Sequence, residues 1–225
     1  MRERWAVIVA GGSGLRMGSD TPKQFMLLAG RPVVIHTLEK FADCHIVLVL
    51  PELQIPFWKS LWHQYQSTLS VEDIQIAVGG ATRTESVLNG LHYVPDGVLV
   101  AIHDAVRPLV SKHLIEECFV SADKTGSGVA AVECTDSLRQ KNPDSGTTTA
   151  VDRSLYLLMQ TPQTFRSEDI KRAYQVVCNR NDSRLLTDDA TVYEATGNAL
   201  HFLKGERSNI KITLPVDLRV AEALL

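Results

Sequence analysis

Three uninterrupted apolar runs limit what this chain can become: Trp5-Ala6-Val7-Ile8-Val9, Ile46-Val47-Leu48-Val49-Leu50 and Val98-Leu99-Val100-Ala101-Ile102. A strand with one face in water alternates apolar and polar residues. A strand covered on both faces does not, and such strands belong to parallel sheets flanked by helices. The segments between the runs fit that arrangement. Val34, Ile35, Leu38 and Phe41 have helical spacing behind Pro32, which suits a first turn. Pro56 to Leu69 is predicted to be a helix whose Trp58, Leu61, Trp62 and Tyr65 are packing residues. Ile74 to Val78 reads as another strand, and Thr82 with Glu85 has capping-box spacing for a helix running through Leu91. Ser111 can cap a helix through Val120, and Gly128 to Val132 follows as a fifth strand. The expectation is an α/β fold: a mostly parallel sheet flanked by helices.

The alternation breaks at 133–152. Lys141-Asn142-Pro143-Asp144-Ser145-Gly146 is turn-rich and lies between two polar, Thr-bearing arms, so the stretch reads as a protruding hairpin. So polar a hairpin has little to bury alone. It is either a mobile loop or an arm that packs on a partner subunit, and the residues leave both open. Beyond it, Thr161 to Phe165 is predicted to be a turn and Ser167 to Val177 a helix. Thr187-Asp188-Asp189 opens a further helix that Gly197 can stop, with acids suited to a helix N-terminus. Leu200 to Leu203 reads as a late strand and Leu214 to Leu225 as the last helix, started by Pro215.

Composition excludes several partners. With 23 Lys and Arg against 26 Asp and Glu, the formal charge of -3 offers no basic field for nucleic acid. Cys44, Cys118, Cys134 and Cys178 are too widely spaced for a zinc site or a disulfide framework, and reduced thiols suit a cytoplasmic setting. No apolar stretch is long enough for a signal peptide core or a membrane span, so a soluble cytoplasmic protein with no membrane partner is expected.

Polar residues that suit ligands collect just after strand ends. The first apolar run leads into Ala10-Gly11-Gly12-Ser13-Gly14-Leu15-Arg16-Met17-Gly18, then Pro22-Lys23-Gln24. Glycines let backbone N–H groups approach an anion, and Arg16 and Lys23 would add charge to that cradle. It is not a Walker loop, because no Gly-Lys-Ser/Thr ends it. The dinucleotide fingerprint fails where Met17 replaces the third glycine, and a serine nucleophile elbow fails at Leu15. Gly79-Gly80-Ala81-Thr82-Arg83 and His103-Asp104-Ala105-Val106-Arg107-Pro108 follow two other strands. In open α/β sheets this edge is where ligands bind.

The first loop with Pro22-Lys23-Gln24 resembles the signature of sugar and polyol nucleotidyltransferases. Gly79-Gly80 with Arg83 and Ser86, the string 103–108, Thr161-Pro162-Gln163, Thr187-Asp188-Asp189-Ala190 and Asn209-Ile210-Lys211 narrow the resemblance. Together, in this order, they resemble the 2-C-methyl-D-erythritol 4-phosphate cytidylyltransferase family over nearly the whole chain. That resemblance implies a Rossmann-like nucleotidyltransferase domain spanning 1–225, with 133–152 as a dimerisation arm. It implies transfer of the cytidylyl group of CTP to methylerythritol phosphate in the non-mevalonate isoprenoid route, with Mg²⁺ and release of pyrophosphate. Ribitol-5-phosphate cytidylyl transfer is the sister activity, and a silent nucleotide-binding regulator is an alternative from another class.

The resemblance also distributes roles. Arg16, Lys23, Arg153 and Lys211 would stabilise the transfer, Arg153 from the neighbouring subunit. Ala10, Gly11, Gly12, Gly14, Gly80, Ala81, Arg83, Ser86, Asp104 and Ala105 would hold the nucleotide, and Asp104 could reach Mg²⁺ through water. Arg107, Ser137, Thr161 and Thr187 would hold the polyol phosphate. Family members commonly carry an acid where Ala81 stands and Thr where Ser137 stands. His103 is expected to be a satisfied structural histidine. The substrate phosphate is already an anionic nucleophile, so no serine, cysteine or general base is needed, and none is evident.

Overall fold

The computed structural model describes residues 2–11, 21–71, 74–180 and 186–225. Chain order runs β1 (Arg4–Val9), β2 (Leu27–Leu28), β3 (Arg31–Pro32), α1 (Val33–Lys40), β4 (His45–Leu50), α2 (Ile55–Tyr65), β5 (Ile74–Val78), α3 (Arg83–Leu91), β6 (Leu99–Asp104) and α4 (Lys112–Thr125). It continues with β7 (Ser127–Glu133), β8 (Arg139–Lys141), β9 (Thr148–Ala150), β10 (Leu157–Arg166), α5 (Ser167–Arg180), α6 (Asp189–Glu194), β11 (Phe202–Lys204) and α7 (Pro215–Leu224).

Seven strands form one sheet in the order β11-β7-β10-β6-β1-β4-β5. Only β10 opposes its neighbours; β6, β1, β4 and β5 are parallel, as are β7 and β11. The apolar runs are buried because both faces are covered. Ala6, Ile8, Leu48 and Leu50 point to the face packed by α1, α2 and α4, through Leu38, Trp58 and Phe119. Val7, Val47, Val49 and Val100 point to the other, packed by α3, α5 and α6 through Leu91, Tyr174 and Tyr193. Consecutive residues of one strand thus serve two cores, which is why their sequence does not alternate.

α3 lies close to the sheet. A Cβ at Gly90 would come within 2.6 Å of Val7 and 2.8 Å of Val49, so this glycine sets how near the helix that carries Arg83 and Ser86 can approach β1. Thr82 caps the helix by accepting from the N–H of Glu85. Ser111 caps α4 in the same manner, as its spacing predicts.

One expectation is corrected. Thr161 to Phe165 is not a turn but part of β10, with Gln163 to Phe165 paired on both sides. Pro162 has no N–H to give a ladder, and a register shift between Met159 and Gln163 accommodates it against β7. β5 is the sheet edge, with one side unpaired, and is less buried than the inner strands β4 and β6. At 133–152 a hairpin does form. β8 and β9 pair Arg139 with Ala150 and Lys141 with Thr148, every residue of both strands is exposed, and the Asn142 side chain accepts from the N–H of Asp144 in the turn. At its foot Leu155, Tyr156, Leu157 and Leu158 stay exposed, as does Phe202 on the edge strand.

Candidate active site

β1 is the switch point of the sheet: the chain builds outward to β4 and β5 on one side, then returns to place β6 on the other. Connections leaving neighbouring strands in opposite directions open a crevice at their carboxyl ends, where ligands bind in such sheets. Two adjoining clefts lie there. The first is lined by Ala10, Gly11, Lys23, Gln24, Gly80, Ala81, Arg83, Ser86, Asp104 and Lys211, among others. The second is lined by Arg107, Thr161, Gln163, Thr187 and Asp188, and shares Arg83, Asp104 and Lys211 with the first.

Residues expected to hold a nucleotide therefore gather in one cleft and those expected to hold a polyol phosphate in the other. Gly12, Gly14 and Arg16 lie outside the described residues. Ala105 is buried under the crevice, its N–H donating to Val9 O at 3.0 Å and its carbonyl accepting from Thr37 Oγ1 at 2.8 Å. Ser137 and Arg153 are exposed on and beside the hairpin and line neither cleft; the Arg153 guanidinium donates to the Thr135 carbonyl.

Asp104 is the electrostatic centre. Lys211 Nζ lies 2.9 Å from its Oδ2, Arg107 Nε 3.4 Å, and Arg83 Nε 3.9 Å from Oδ1. Burial alone would raise its pKa, but Lys211, Arg83 and Arg107 reverse that and hold it well below the usual carboxylate range. It is ionised at any working pH. Among the described residues it is the only carboxylate lining the first cleft, and they contain no group of three or more His, Cys, Asp or Glu able to hold a metal. One ionised carboxylate in such a cleft would suit Mg²⁺, which keeps much of its water and leans on ligand phosphates, and would not suit a protein-caged metal.

A chain of hydrogen bonds supports this centre from below. His103 Nε2 faces the Arg107 carbonyl at 3.1 Å and so must donate, which leaves Nδ1 to accept from Thr161 Oγ1 at 3.0 Å. Thr161 Oγ1 in turn accepts from the Asp104 N–H at 3.1 Å. His103 is fully buried, and burial lowers its pKa to about 4, so it is neutral and both nitrogens are occupied. It is structural, as expected. Arg107 is anchored at its other end by NH1 donating to Asn209 O at 2.8 Å.

In the first cleft, Ser86 Oγ accepts from the Gly80 N–H at 3.0 Å and donates to Thr82 O at 2.9 Å. The Ala81 N–H donates to Glu85 Oε2 at 2.8 Å. A Cβ at Gly80 would come within 2.3 Å of Glu85, so only glycine fits against that cap. Lys23 is buried in a short 3-10 turn, Lys23–Phe25. Its neighbour Gln24 donates to Ala10 O at 2.8 Å and Gln54 Oε1 at 2.6 Å, tying the end of β1 to that turn.

Sequence reasoning assigned no role to Gln24, Gln163 or Asn209 and read Asp189 only as an acid at a helix start, although all four stand inside motif strings. Gln163 donates to Asp188 Oδ2 at 2.8 Å and accepts from the Ala190 N–H at 2.7 Å, and Asn209 Nδ2 donates to Thr161 O at 2.9 Å. Each is a buried polar residue. A polar residue next to an assigned ligand residue is the signal that could have found them.

The family model described as IspD, 2-C-methyl-D-erythritol 4-phosphate cytidylyltransferase, matches residues 5–225. A protein of that name from Porphyromonas gingivalis is 48% identical over 228 residues, covering 100% of this chain and 98% of the relative. Another, from Bacteroides thetaiotaomicron, is 45% identical over 223 residues, covering 97% and 98%. Among solved structures, the 2-C-methyl-D-erythritol 4-phosphate cytidylyltransferase of Francisella tularensis has a TM-score of 0.82 at 27% identity, over 99% of this chain and all (100%) of that one. The 4-diphosphocytidyl-2C-methyl-D-erythritol synthase of Anaerococcus prevotii has a TM-score of 0.81 at 26% identity, over 99% and 97%. Its motifs, its sheet and its full-length relatives place this chain in the 2-C-methyl-D-erythritol 4-phosphate cytidylyltransferase family, whose members are nucleotidyltransferase enzymes.

Proposed function

We propose that the enzyme transfers the cytidylyl group of CTP to 2-C-methyl-D-erythritol 4-phosphate, releasing pyrophosphate, as a step in non-mevalonate isoprenoid precursor synthesis. The observation that carries this reading is the pair of clefts sharing Asp104, Arg83 and Lys211, which would hold two phosphorylated substrates on either side of one charged seam. A phosphate oxygen of the polyol attacks the α-phosphorus of CTP. A P–O bond forms, the bond to the β-phosphate's bridging oxygen breaks, and pyrophosphate leaves with that electron pair. No proton needs to move, so the reaction requires no general base.

The difficulty is bringing two polyanions together, and preorganised cations are the remedy. Lys23 and Arg16 would neutralise the triphosphate as the leaving group departs. Lys211 would aim the attacking phosphate, being at the seam and half-exposed to both clefts. Gly80, Ala81, Arg83 and Ser86 would read the cytosine, with Ala10, Gly11, Gly12 and Gly14 along the sugar and phosphates. Arg107, Thr161 and Thr187 would hold the polyol phosphate. Mg²⁺, held by Asp104 and the CTP phosphates, would supply further charge stabilisation when bound.

We read 1–225 as one nucleotidyltransferase domain and 133–152 as an arm that completes the site of a second copy. The exposed hairpin, the four apolar side chains at its foot and the distance of Arg153 and Ser137 from their own clefts support a homodimer. The free cysteines support a cytoplasmic setting.

The test is pyrophosphate release across four nucleoside triphosphates and a panel of polyol phosphates, with and without Mg²⁺. Release with CTP and methylerythritol phosphate, dependent on the metal, is expected. Release only with ribitol 5-phosphate would make the sister activity correct, and CTP binding with no release on any acceptor would make the protein a regulator.

A further inference from the structure

Arg83 does not enter the first cleft unaided. Its NH1 and NH2 donate to Oδ1 and Oδ2 of Asp189 at 3.0 and 2.7 Å, a two-point fork that fixes the plane of the guanidinium. Asp189 is fully buried, and the hydroxyl of Tyr174, itself fully buried, donates to Oδ1. The fork uses two of the five N–H groups of the guanidinium, and Nε faces Asp104 at 3.9 Å. Buried carboxylates are costly unless paired. Tyr174 and Arg83 together satisfy this one, and its charge and hydrogen bonds outweigh burial to keep the guanidinium firmly protonated.

Asp189 also connects the clefts. It is two residues from Thr187, which lines the second cleft, and directly follows Asp188. The Asp188 side chain caps α6 by accepting from the Thr191 N–H and is itself bonded to Gln163. The fork therefore joins the start of α6, beside the polyol phosphate, to the start of α3, beside the nucleotide. We infer that Asp189, held by Tyr174, is a positioning residue that orients Arg83 for nucleotide recognition and so sets the enzyme's affinity for CTP and its choice of base. The inference rests on the reading of the first cleft as the CTP site.

The experiment measures steady-state constants for both substrates, and CTP binding calorimetrically without the second substrate, in Asp189→Asn, Tyr174→Phe, Arg83→Ala and the Arg83→Ala/Asp189→Asn double variant. Asp189→Asn should raise KM and Kd for CTP roughly tenfold and narrow the preference for CTP over UTP, while KM for methylerythritol phosphate moves less than about twofold. Tyr174→Phe should act in the same direction, roughly threefold, without removing a charge. In the Arg83→Ala background Asp189→Asn should add nothing to KM for CTP, because its effect passes through the arginine. The inference is overturned if CTP affinity is unchanged in both Asp189→Asn and Tyr174→Phe. It is equally overturned if both substrates' KM values rise in parallel, or if Asp189→Asn weakens CTP further without Arg83. Should Asp189→Asn fail to fold, Tyr174→Phe alone decides between a CTP-selective effect and none. A wild-type enzyme inactive with CTP would instead remove the reading of the cleft.

Discussion

Lys211 Nζ lies 2.9 Å from Oδ2 of Asp104, and these two residues line both clefts. The lysine follows Asn209, whose carbonyl receives Arg107 and whose amide donates to Thr161 O. Asp104 thus pairs with the ammonium group at the seam, while Arg107 and Thr161 anchor the segment that carries it. Because the Lys211 side chain is 40% exposed, its loss should disturb chemistry far more than folding. Lys211→Ala is expected to lower kcat about 10²–10³-fold, with a melting temperature close to wild type. Pyrophosphate release and differential scanning fluorimetry on the same preparation check both halves. A parallel collapse of stability would make the lysine structural.

The same cluster predicts an acid-side stability loss. Asp104 has a folded pKa held below its unfolded value, so its contribution is present above the ordinary Asp pKa and fades as pH falls toward the depressed one. Asp104→Asn leaves Lys211 and Arg107 beside Arg83 without the Asp104 charge, and only Arg83 keeps a carboxylate partner, in Asp189. It should therefore be destabilised relative to wild type at pH 7, and the gap in melting temperature should narrow as pH approaches 3. A gap independent of pH would mean that packing, not charge, accounts for the loss.

His103 should stay silent over the range in which histidines titrate. With its pKa lowered to about 4 by burial, it is neutral well below the ordinary value near 6.5. Nitrogen-detected NMR should find it in the Nε2–H form from pH 8 to pH 5, with no change of tautomer or charge across that range. His103→Leu, able neither to donate nor to accept, should break the relay from Arg107 to Asp104 and lower kcat without shifting the pH optimum. A shifted optimum would assign the histidine a proton-transfer role.

How much of this was legible depends on how locally each feature is determined. The apolar runs announced buried parallel strands because burial on both faces acts on every residue of a strand. The caps at Thr82, Ser111 and Asp188 were readable because a cap and its N–H are three residues apart. Pro162 misled, since proline marks turns by its missing N–H, and only the pairing of β10 with β6 and β7 reveals a strand that tolerates it. The Arg83–Asp189 fork was not legible: its partners are 106 residues apart, and Asp189 reads equally well as a first-turn acid. The two clefts were foreshadowed by strand-end motifs, but that they share Asp104 and Lys211 emerges only once β1 and β6 are neighbours.

The four cysteines should separate by reactivity. Burial pushes the Cys118 thiol up to about 12, and burial likewise pushes Cys44 to about 12 against the opposing pull of Arg4. Thiolate is the reacting form, so neither is ionised at pH 8. Cys134 is buried, and Cys178 is exposed on α5. One thiol should react rapidly with a chromogenic disulfide in the native protein, all four after denaturation, and Cys178→Ser should remove the fast one. Retained activity after that single modification would agree with a mechanism that uses no cysteine.

The hairpin offers the sharpest test of whether the site belongs to one chain or two. Lys23 lines the first cleft, whereas Arg153 stands exposed at the foot of an arm that touches neither cleft. If the arm serves the partner's site, a heterodimer of Lys23→Ala and Arg153→Ala subunits contains one site with both defects and one with neither. Random mixing in equal amounts makes half of the dimers heterodimers, so about a quarter of wild-type activity should return from two inactive parents. If Arg153 instead acts within its own chain, every site in the heterodimer carries one defect and nothing returns. Differently tagged subunits, purified in tandem to prove exchange, distinguish these outcomes. Replacing Leu157 and Phe202 by glutamate, which puts charge on the exposed apolar surface at the arm's foot, should shift the protein toward monomer by light scattering and abolish the complementation with it.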